Sequence, residues 1–332
     1  MRESLLDYLA CPDCDGDLDV AVDTREGDEI VQGTLSCPSC RSGYPVERGV
    51  PRFAQPSTPL DRRTAQAFGY EWARYDELAE RYRQQFLDWI RHVEPEFFRG
   101  KLVLEGGCGK GRHTALAAEF GARDVVAVDL SDAVDVAHRN LLQFSNAHVI
   151  QCDIHKLPLK RVFDYGFSVG VLHHLPVPER GFQSLVSRIR PGGYISAWVY
   201  GREGNGWVVH LVSPIRTHIT ARLPLPLLDT LSAALTVPLF LATRLLYGPS
   251  GGTPLGIPLP YGRYLSYISQ FPFREQRSIV FDHLAAPVSH YIRHDDFAGW
   301  FQSLGLEASQ VESHNANSWR GFGRVPVTSP TR

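Results

Sequence analysis

The sequence predicts an α/β protein with a doubly wound, mostly parallel sheet, preceded by a small metal-binding domain. An apolar run enters a glycine-rich turn and a helix-like segment at residues 103–120, and later apolar runs that end in carboxylates alternate with helical stretches. Strands that alternate with helices in this way are typical of a parallel sheet. Two Cys-x-x-Cys pairs within residues 11–40 predict the small domain.

The glycine-rich turn indicates a nucleotide-bearing ligand. Residues 103–111 read VLEGGCGKG, and glycine lets the backbone approach a ligand and adopt positive φ angles. The spacing excludes two common patterns. A dinucleotide fingerprint needs glycine where Arg112 or Thr114 stands, and a phosphate-binding loop needs Lys and Ser or Thr where Arg112 and His113 stand. The pattern that remains is E-x-G-x-G-x-G.

Three acidic residues belong to successive predicted strands. Glu105 lies in the first, Asp129 ends VVAVD, and Asp153 ends HVIQCD. Because the carboxyl ends of parallel strands meet at one edge of a sheet, these carboxylates are expected to converge on the ligand. Simpler interpretations stay open, since the glycines could serve the turn alone and Asp129 could cap a helix that begins near Ser131.

Two further segments continue the alternation. Residues 163–175 read as a fourth strand, and residues 185–200 as a helix closed by a Pro-Gly-Gly turn into a fifth. With them, residues 101–200 resemble the core of class I, Rossmann-type methyltransferases that depend on S-adenosylmethionine (SAM). The resemblance implies a seven-stranded, mostly parallel sheet, completed by a strand pair within residues 307–324.

The resemblance also implies roles for single residues. Asp129 would accept the ribose hydroxyls, Asp153 the adenine amino group, and Ile154 would pack on the adenine ring. Tyr70 and Arg81 are hypothetical partners of the methionine carboxylate. Together, the implied cofactor-binding residues are Glu105, Gly107, Gly109, Gly111, Asp129, Asp153, Ile154 and Tyr70. Glu105 departs from the more usual aspartate, which is expected to alter fit and not identity.

The two Cys-x-x-Cys pairs predict a structural zinc site. The ligands would be Cys11, Cys14, Cys37 and Cys40, because four thiolates at this spacing close a tetrahedral site with no open position. Disulfides or redox dithiols are the alternative. The first ten residues contain no apolar signal segment, so we expect a cytoplasmic chain whose thiols stay reduced.

The sequence around the cysteines resembles the small zinc-ribbon activator subunit of tRNA and translation-factor methyltransferases. The resemblance covers about fifty residues, of which YPVERGVPRF at residues 44–53 is the most telling part. In that family the ribbon stabilises its methyltransferase by packing on it. The expected domains are a zinc ribbon (1–55), a linker and helical cap (56–99), the SAM-binding core (100–200), an apolar helical lid (201–281) and a C-terminal helix and strand pair (282–332).

The lid contains the most apolar segment of the chain. Residues 223–247 are apolar on nearly every side and must be hidden in protein, ligand or lipid. Asp229, Pro238 and Arg244 interrupt them, which leaves no stretch of the roughly twenty residues that a bilayer crossing needs. We expect a lid over the active site, with peripheral membrane contact or a lipidic substrate as the second possibility.

Methyl transfer from a sulfonium is an in-line displacement, so the protein mainly positions the acceptor, and a histidine can serve as base. The candidate catalytic residues are His173, His174 and His294.

A net charge of -2 argues against a large nucleic-acid footprint. We expect a small apolar or amphipathic metabolite, bound beneath the lid at residues 201–281, as the acceptor. One alternative is a tRNA- or protein-modifying methyltransferase with the zinc ribbon as its activator in cis. No NPPY-type tetrad follows the fourth strand, where residues 170–176 read GVLHHLP, and this weighs against methylation of adenine N6 or a glutamine amide. The other alternative is a non-catalytic SAM-binding scaffold.

Overall fold

Four antiparallel strands open the chain in a computed structural model that describes residues 1–248 and 261–327. They are hydrogen-bonded in the order β1-β2-β3-β4. Their bounds are β1 Asp19–Glu26, β2 Glu29–Ser36, β3 Gly43–Glu47 and β4 Val50–Pro51. Side chains alternate between buried and exposed along β3 and the second half of β2, so one face of this sheet packs inward.

A helical segment connects this sheet to the core. Its helices are α1 (Pro59–Arg74) and α2 (Tyr82–Trp89). A capping box starts α1, because the Thr58 hydroxyl accepts from the Asp61 N–H at 3.0 Å while the Asp61 carboxylate accepts from the Thr58 N–H at 3.2 Å. The buried face of α2 carries the aromatic residues that recur at helical spacing in the sequence.

Seven strands form the central sheet in the order β10-β11-β9-β8-β5-β6-β7. The bounds are β5 Leu102–Gly106, β6 Asp124–Asp129, β7 Ala147–Gln151, β8 Phe163–Val169, β9 Ile189–Tyr200, β10 Glu307–His314 and β11 Ser318–Arg324. Strands β5 to β9 are parallel, and β11 runs antiparallel to both of its neighbours. The predicted seven-stranded, mostly parallel sheet is confirmed.

Both faces of the sheet are covered. Leu102 and Leu104 pack into one core cluster and the intervening Val103 into the other, as the alternation of side chains along a strand requires. The helices that pack around this sheet include α3 (Arg112–Glu119), α4 (Ala133–Leu141), α5 (Pro178–Arg188) and, near the C-terminus, α10 (His294–Ser303). The strand order reverses between β5 and β8, and ligands of open α/β sheets bind beyond the strand ends at such a point.

The apolar insertion is helical in its described part. Its helices are α6 (Ser213–His218), α7 (Leu225–Ala242), α8 (Gly262–Ile268) and α9 (Phe273–Ala285). Residues 249–260 of the expected lid lie outside the described residues. Helix α7 packs against α9 and leaves much of its apolar surface exposed, including Leu235 and Leu241.

The expectation that Pro238 and its polar neighbours break the apolar segment is wrong. Pro238 removes one backbone donor without ending α7, which continues into a π-helical turn over Thr243–Tyr247. The resulting 23 residues, Leu225–Tyr247, are long and apolar enough to cross a membrane by length and composition alone, and one such helix is weak evidence.

The N-terminal sheet is docked on the core through polar contacts. Arg52, which follows β4, donates to Gln151 Oε1 at 2.8 Å and to Asp135 Oδ1 at 2.5 Å, and it is only 6% exposed. The Tyr8 hydroxyl donates to Asp124 Oδ2 at 2.6 Å. The small domain therefore contacts α4, β6 and β7. These two strands form the end of the central sheet that lies beyond β5.

Candidate active site

The turn after β5 brings bare backbone to the carboxyl edge of the sheet. Gly107 and Gly109 have φ angles of 83° and 51°. A Cβ on Gly107 would lie 2.3 Å from a methyl of Val171, and one on Gly109 would lie 2.8 Å from Nε1 of Trp72. Both conformation and space therefore require glycine at these two positions.

Asp129 lies beside this turn at the end of β6. Its Oδ2 accepts a hydrogen bond from the Gly109 N–H at 2.9 Å. Its Oδ1 accepts from the Ser131 N–H at 2.8 Å and from the Ser131 hydroxyl at 2.7 Å. These contacts with Ser131 form a local turn and do not cap α4, whose N-cap residue is Asp132. Asp129 lines the cavity described below.

Asp153 lies two residues after the end of β7. Asp153 and Ile154 both line the cavity that Asp129 lines. The Asp153 Oδ1 accepts from the His155 N–H at 2.8 Å and lies 2.9 Å from His155 Nδ1. Burial raises the pKa of Asp153, but the hydrogen bonds from His155 outweigh burial and lower it overall. The Ile154 side chain is buried and offers an apolar surface next to this carboxylate.

Glu105 lies beneath the turn and does not line the cavity. Its Oε2 accepts from the Thr114 hydroxyl, and its Oε1 lies 3.4 Å from His113 Nδ1. Burial raises the pKa of Glu105 to about 8. The expected direct contact with the cofactor is therefore absent from this geometry, because the side chain points into the core and ties β5 to the first turn of α3.

Gly111 and Tyr70 also lie outside the cavity lining. A Cβ on Gly111 would meet Ala137 at 3.3 Å, so this glycine permits close packing of α3 on α4. Tyr70 stacks on Phe281 with 5.6 Å between ring centroids. Its position in α1 turns it toward α9, and the neighbouring Trp72 faces the cavity instead.

Two cations beside the turn were missed by the sequence analysis. Lys110 donates to the Tyr75 carbonyl at 2.6 Å, and burial, followed by the charge of Arg112, lowers the pKa of Lys110 to about 8. The Arg112 guanidinium lies 5.5 Å from the ring centroid of Trp72 and 5.0 Å from that of Tyr82. In the sequence, Arg112 is noted only because it stands where two common motifs need another residue. A basic side chain at this turn was a sequence signal in its own right.

A buried carboxylate from α1 faces the same space. Glu71 is 2% exposed, lines the cavity and accepts from the Ser278 hydroxyl at 2.6 Å. Burial, and next the carboxylate of Asp282, raise the pKa of Glu71 well above its usual range. Nothing in the sequence singles out Glu71, because it meets Ser278 only in the fold, 207 positions away.

These groups surround a cavity of about 1080 Å³. One end is formed by the glycine turn, Asp129 and Asp153, and the other by residues of β9 and the insertion. Typical pockets for one small ligand measure roughly 300–1,000 Å³, so this cavity has room for a donor and an acceptor together. The insertion contributes lining residues such as Trp207, Leu239 and Tyr264, which places part of it over the site.

The three candidate histidines lie in different environments. His174 lines the cavity, its Nδ1 is 2.7 Å from the Val288 carbonyl oxygen, and burial lowers the pKa of His174. Because Nδ1 must donate to that carbonyl, Nε2 is left as a proton acceptor. His173 is fully buried behind the cavity wall. His294 begins α10 and pairs with Asp295 at 3.1 Å outside the cavity, so its expected place in the site is wrong.

The four N-terminal cysteines form one cluster. Cys14 Sγ lies 3.4 Å from Cys37 Sγ, and Cys11 Sγ lies 3.5 Å from Cys40 Sγ. These separations exceed an S–S bond of about 2.05 Å, which excludes disulfides between those sulfurs. All four sulfurs lie within 4.8 Å of one another, and four thiolates at this spacing fit a structural zinc ion.

Comparison with protein families matches two parts of the chain. Residues 104–197 match the family described as "Methyltransferase domain", and residues 2–49 match "Trm112p-like protein". Curated relatives include the tRNA U34 carboxymethyltransferases of Pseudoalteromonas translucida and Idiomarina loihiensis. The first is 35% identical over 107 residues, which are 31% of this chain and 33% of the relative. The second is 35% identical over 102 residues, which are 29% of this chain and 32% of the relative. This chain thus spans about a third of the length of these relatives.

Solved structures resemble the fold at low identity. A DhpI complex with S-adenosylhomocysteine (SAH) is 15% identical with a TM-score of 0.49, covering 81% of this chain and 98% of that one. The complex of the Haloferax volcanii Trm112 methyltransferase activator with a methyltransferase is 13% identical with a TM-score of 0.47. The match covers 82% of this chain and 100% of that one.

The curated relatives correct one sequence-based expectation. We expected a small-molecule substrate and, from a net charge of -2 over the whole chain, no large nucleic-acid footprint. The relatives that share the core domain are named as tRNA-modifying enzymes, and the N-terminal domain matches a Trm112p-like family. The expectation is wrong because a charge averaged over 332 residues does not describe the surface around one cavity.

Proposed function

We propose that this chain, in which a Trm112p-like domain is joined to a methyltransferase domain, transfers a methyl group from SAM to tRNA. The observation that carries the proposal is the convergence of the glycine turn, Asp129 and Asp153 on one end of a large cavity at the switch point of the sheet. The acceptor class follows the names of the curated relatives.

The nucleoside end of SAM would lie against β5, β6 and β7. Asp129 would accept the ribose hydroxyls through the lone pairs that Gly109 and Ser131 leave free. Asp153 would accept the adenine amino group, and Ile154 would pack on the ring. The absence of side chains at Gly107 and Gly109 lets the donor approach the backbone.

The methionine end would meet the charged groups that follow the turn and line α1. We assign Arg112, with Lys110 behind it, to the methionine carboxylate, because both cations line the cavity next to Gly109. Glu71 would accept from the ammonium group. This assignment replaces Tyr70, which packs on Phe281, and Arg81, which precedes α2 and does not line this cavity.

The chemistry requires little from the protein beyond positioning. SAM supplies an activated methyl group, and the chain holds the acceptor in line with the bond that breaks. His174 is the residue we assign as base for an acceptor that must lose a proton, since its Nε2 is free to accept and the ring lines the cavity. His173 supports this site from behind, where its Nδ1 lies 3.4 Å from the Tyr200 N–H.

The Trm112p-like domain would act in cis as a stabilising partner. Arg52 and Tyr8 connect it to strands that carry the SAM-binding acids, so it supports the site without lining it. A tRNA substrate also agrees with the cytoplasmic location expected from the thiols, because the cluster needs reduced cysteines.

Transfer of label tests the proposal directly. The purified full chain is incubated with methyl-labelled SAM and a cell lysate that is then separated into tRNA, protein and small molecules. The proposal predicts label in nuclease-sensitive tRNA. Label confined to protein or small molecules would reject the tRNA assignment, and absence of SAM binding by calorimetry would reject the donor site.

A further inference from the structure

The end of the cavity opposite the glycine turn is aromatic. We call it the acceptor chamber and define it by the cavity-lining residues Tyr200, Tyr261, Tyr264, Asp282, His283 and Tyr291. With the donor assigned to the other end, the cavity volume of about 1080 Å³ leaves this part for the acceptor.

Three rings of the acceptor chamber are close to parallel. Tyr200 stacks with His283 at 5.7 Å between centroids and 23° between planes, and with Tyr291 at 5.9 Å and 14°. Aligned rings favour a flat aromatic ligand over an aliphatic one, because such a ligand can stack on or meet the edge of several rings in one orientation. Stacking of a base on an aromatic side chain contributes roughly 1–3 kcal/mol in nucleic-acid complexes.

Two polar atoms of the acceptor chamber lack a hydrogen-bond partner within the described ranges. Asp282 Oδ2 accepts from the Tyr200 hydroxyl at 3.0 Å, but its Oδ1 is buried without a partner, as is the Tyr291 hydroxyl. Buried polar atoms are nearly always satisfied, so such atoms in a cavity wall indicate a missing ligand group. A carboxylate oxygen only accepts, which means that the ligand must donate an N–H or O–H.

We infer that the acceptor chamber binds one nucleobase extruded from the RNA and that Asp282 accepts a hydrogen bond from an N–H on its edge. The inference rests on the proposed tRNA substrate and names the part of the RNA that enters the cavity. Enzymes that modify a base inside structured nucleic acid extrude it into a pocket, stack it on aromatic rings and read its edge. The Tyr291 hydroxyl, which is buried without a partner among the described residues, would supply a second polar contact.

A different role for Asp282 would be attraction of the SAM sulfonium, since its carboxylate acts on nearby Glu71. The two roles predict different effects of Asp282→Asn on the affinity for SAM. If Asp282 reads the acceptor, Asp282→Asn leaves the affinity for SAM within about twofold; if it attracts the sulfonium, SAM affinity falls instead.

Calorimetry on the zinc-containing full chain loaded with SAH tests the inference without any tRNA. The probes are uridine, cytidine, adenosine and guanosine, each compared with nucleosides methylated at its edge donors. The methylated forms are 3-methyluridine, N4,N4-dimethylcytidine, N6,N6-dimethyladenosine and, because guanosine has two edge donors, both 1-methylguanosine and N2,N2-dimethylguanosine. We expect at least one nucleoside to bind and its methylated form to bind about 10- to 100-fold more weakly, the effect of losing a hydrogen bond to a charged group. Failure of all four to bind, or equal binding of each methylated form, overturns the inference.

Variants assign the effect to Asp282. Asp282→Asn keeps an oxygen for Tyr200 and should lose the discrimination between the two forms, while Asp295→Asn, on an exposed residue of α10, should retain it. The result is separate from the proposed function: nucleoside binding without transfer of label to tRNA would reject the tRNA proposal alone, and label in tRNA with no nucleoside discrimination would reject the base-reading chamber alone.

Discussion

The backbone N–H of Gly109 donates a 2.9 Å hydrogen bond to Oδ2 of Asp129. This bond joins the turn after β5 to the carboxyl end of β6, so the carboxylate is oriented before any ligand arrives. Ser131 completes the arrangement with two further donors to Oδ1. Preorganisation of this kind reduces the ordering cost of binding, which favours the ribose contact that we propose for Asp129.

Asp129→Asn tests this carboxylate. The amide can keep one acceptor for Gly109 but replaces a charged acceptor of two ribose hydroxyls, so the Kd for SAM should rise about 10- to 100-fold in calorimetry. Asp295→Asn, whose side chain is 92% exposed, is the matched control and should bind SAM as the original chain does. An unchanged Kd in Asp129→Asn would remove Asp129 from the site.

A pair of alanine substitutions separates backbone strain from steric exclusion at the turn. Gly107 and Gly100 both have positive φ, 83° and 67°, but a Cβ meets Val171 at 2.3 Å only at Gly107, and nothing lies within 4 Å at Gly100. Gly107→Ala should abolish SAM binding, while Gly100→Ala should lower the Tm slightly and leave the Kd for SAM unchanged. Equal effects of the two variants on the Kd would contradict this account of the turn.

Arg52 and Arg48 provide a test of domain docking. Both pair with Asp135, at 2.5 Å and 2.9 Å, but the Arg52 side chain is 5% exposed and that of Arg48 is 71% exposed. Arg52→Met should cost about 3 kcal/mol of the free energy of unfolding in urea, because it removes one partner of a buried pair. Arg48→Met should change this free energy by less than about 0.5 kcal/mol. Similar costs for both would show that the buried contact does not hold the domains together.

Zinc removal should unfold the N-terminal domain first. Cys14→Ser should abolish stoichiometric zinc in metal analysis of the purified chain, and a chelator should lower the Tm of the unsubstituted chain, because metal binding supplies folding energy to small domains. Cys152, buried after β7 and apart from the cluster, gives the control Cys152→Ala, which should retain the metal. Full zinc content in Cys14→Ser would exclude the four-thiolate site.

The pH dependence of the reaction tests His174. Burial lowers the pKa of His174, so the ring is neutral at pH 7 and the rate of transfer should fall only as the pH drops below the usual histidine value of about 6.5. Stability should fall in the same direction, starting near pH 6.5, because the unfolded imidazole binds a proton before the buried one does. His174→Asn should lower kcat about 10²- to 10⁴-fold, and His294→Asn should leave it unchanged. An unchanged kcat in His174→Asn, or a rate that rises as the pH falls below 6.5, would exclude His174 as the base.

The sequence predicts the fold well where the pattern is local. The glycine spacing, the strand-end acids and the Cys-x-x-Cys pairs are each set by neighbours in the chain, and they predicted the sheet, Asp129, Asp153 and the cysteine cluster in positions that the structure brings together. The turn of Glu105 into the core is not visible in the sequence, because it depends on contacts with Thr114 and His113 in the first turn of α3, which the strand meets only in the fold.

The far end of the site depends on contacts between distant segments. Asp282 meets Tyr200 across 82 positions, and Glu71 meets Ser278 across 207. No periodicity records such pairs, which is why the sequence does not reveal Glu71 and Asp282. It is also why Tyr70 and His294, which lie outside the cavity lining, were expected in the site. The continuation of α7 through Pro238 was missed because packing against α9 overrides the local cost of proline.

The most direct measurement is mass spectrometry of tRNA nucleosides from cells with and without this chain. The account predicts that one methylated nucleoside, or one derived from it, disappears when the chain is deleted. The original sequence should restore it, and the Gly107→Ala variant should not. Identical tRNA nucleosides in the presence and absence of the chain would contradict the central claim that SAM bound at the glycine turn supplies a methyl group to tRNA.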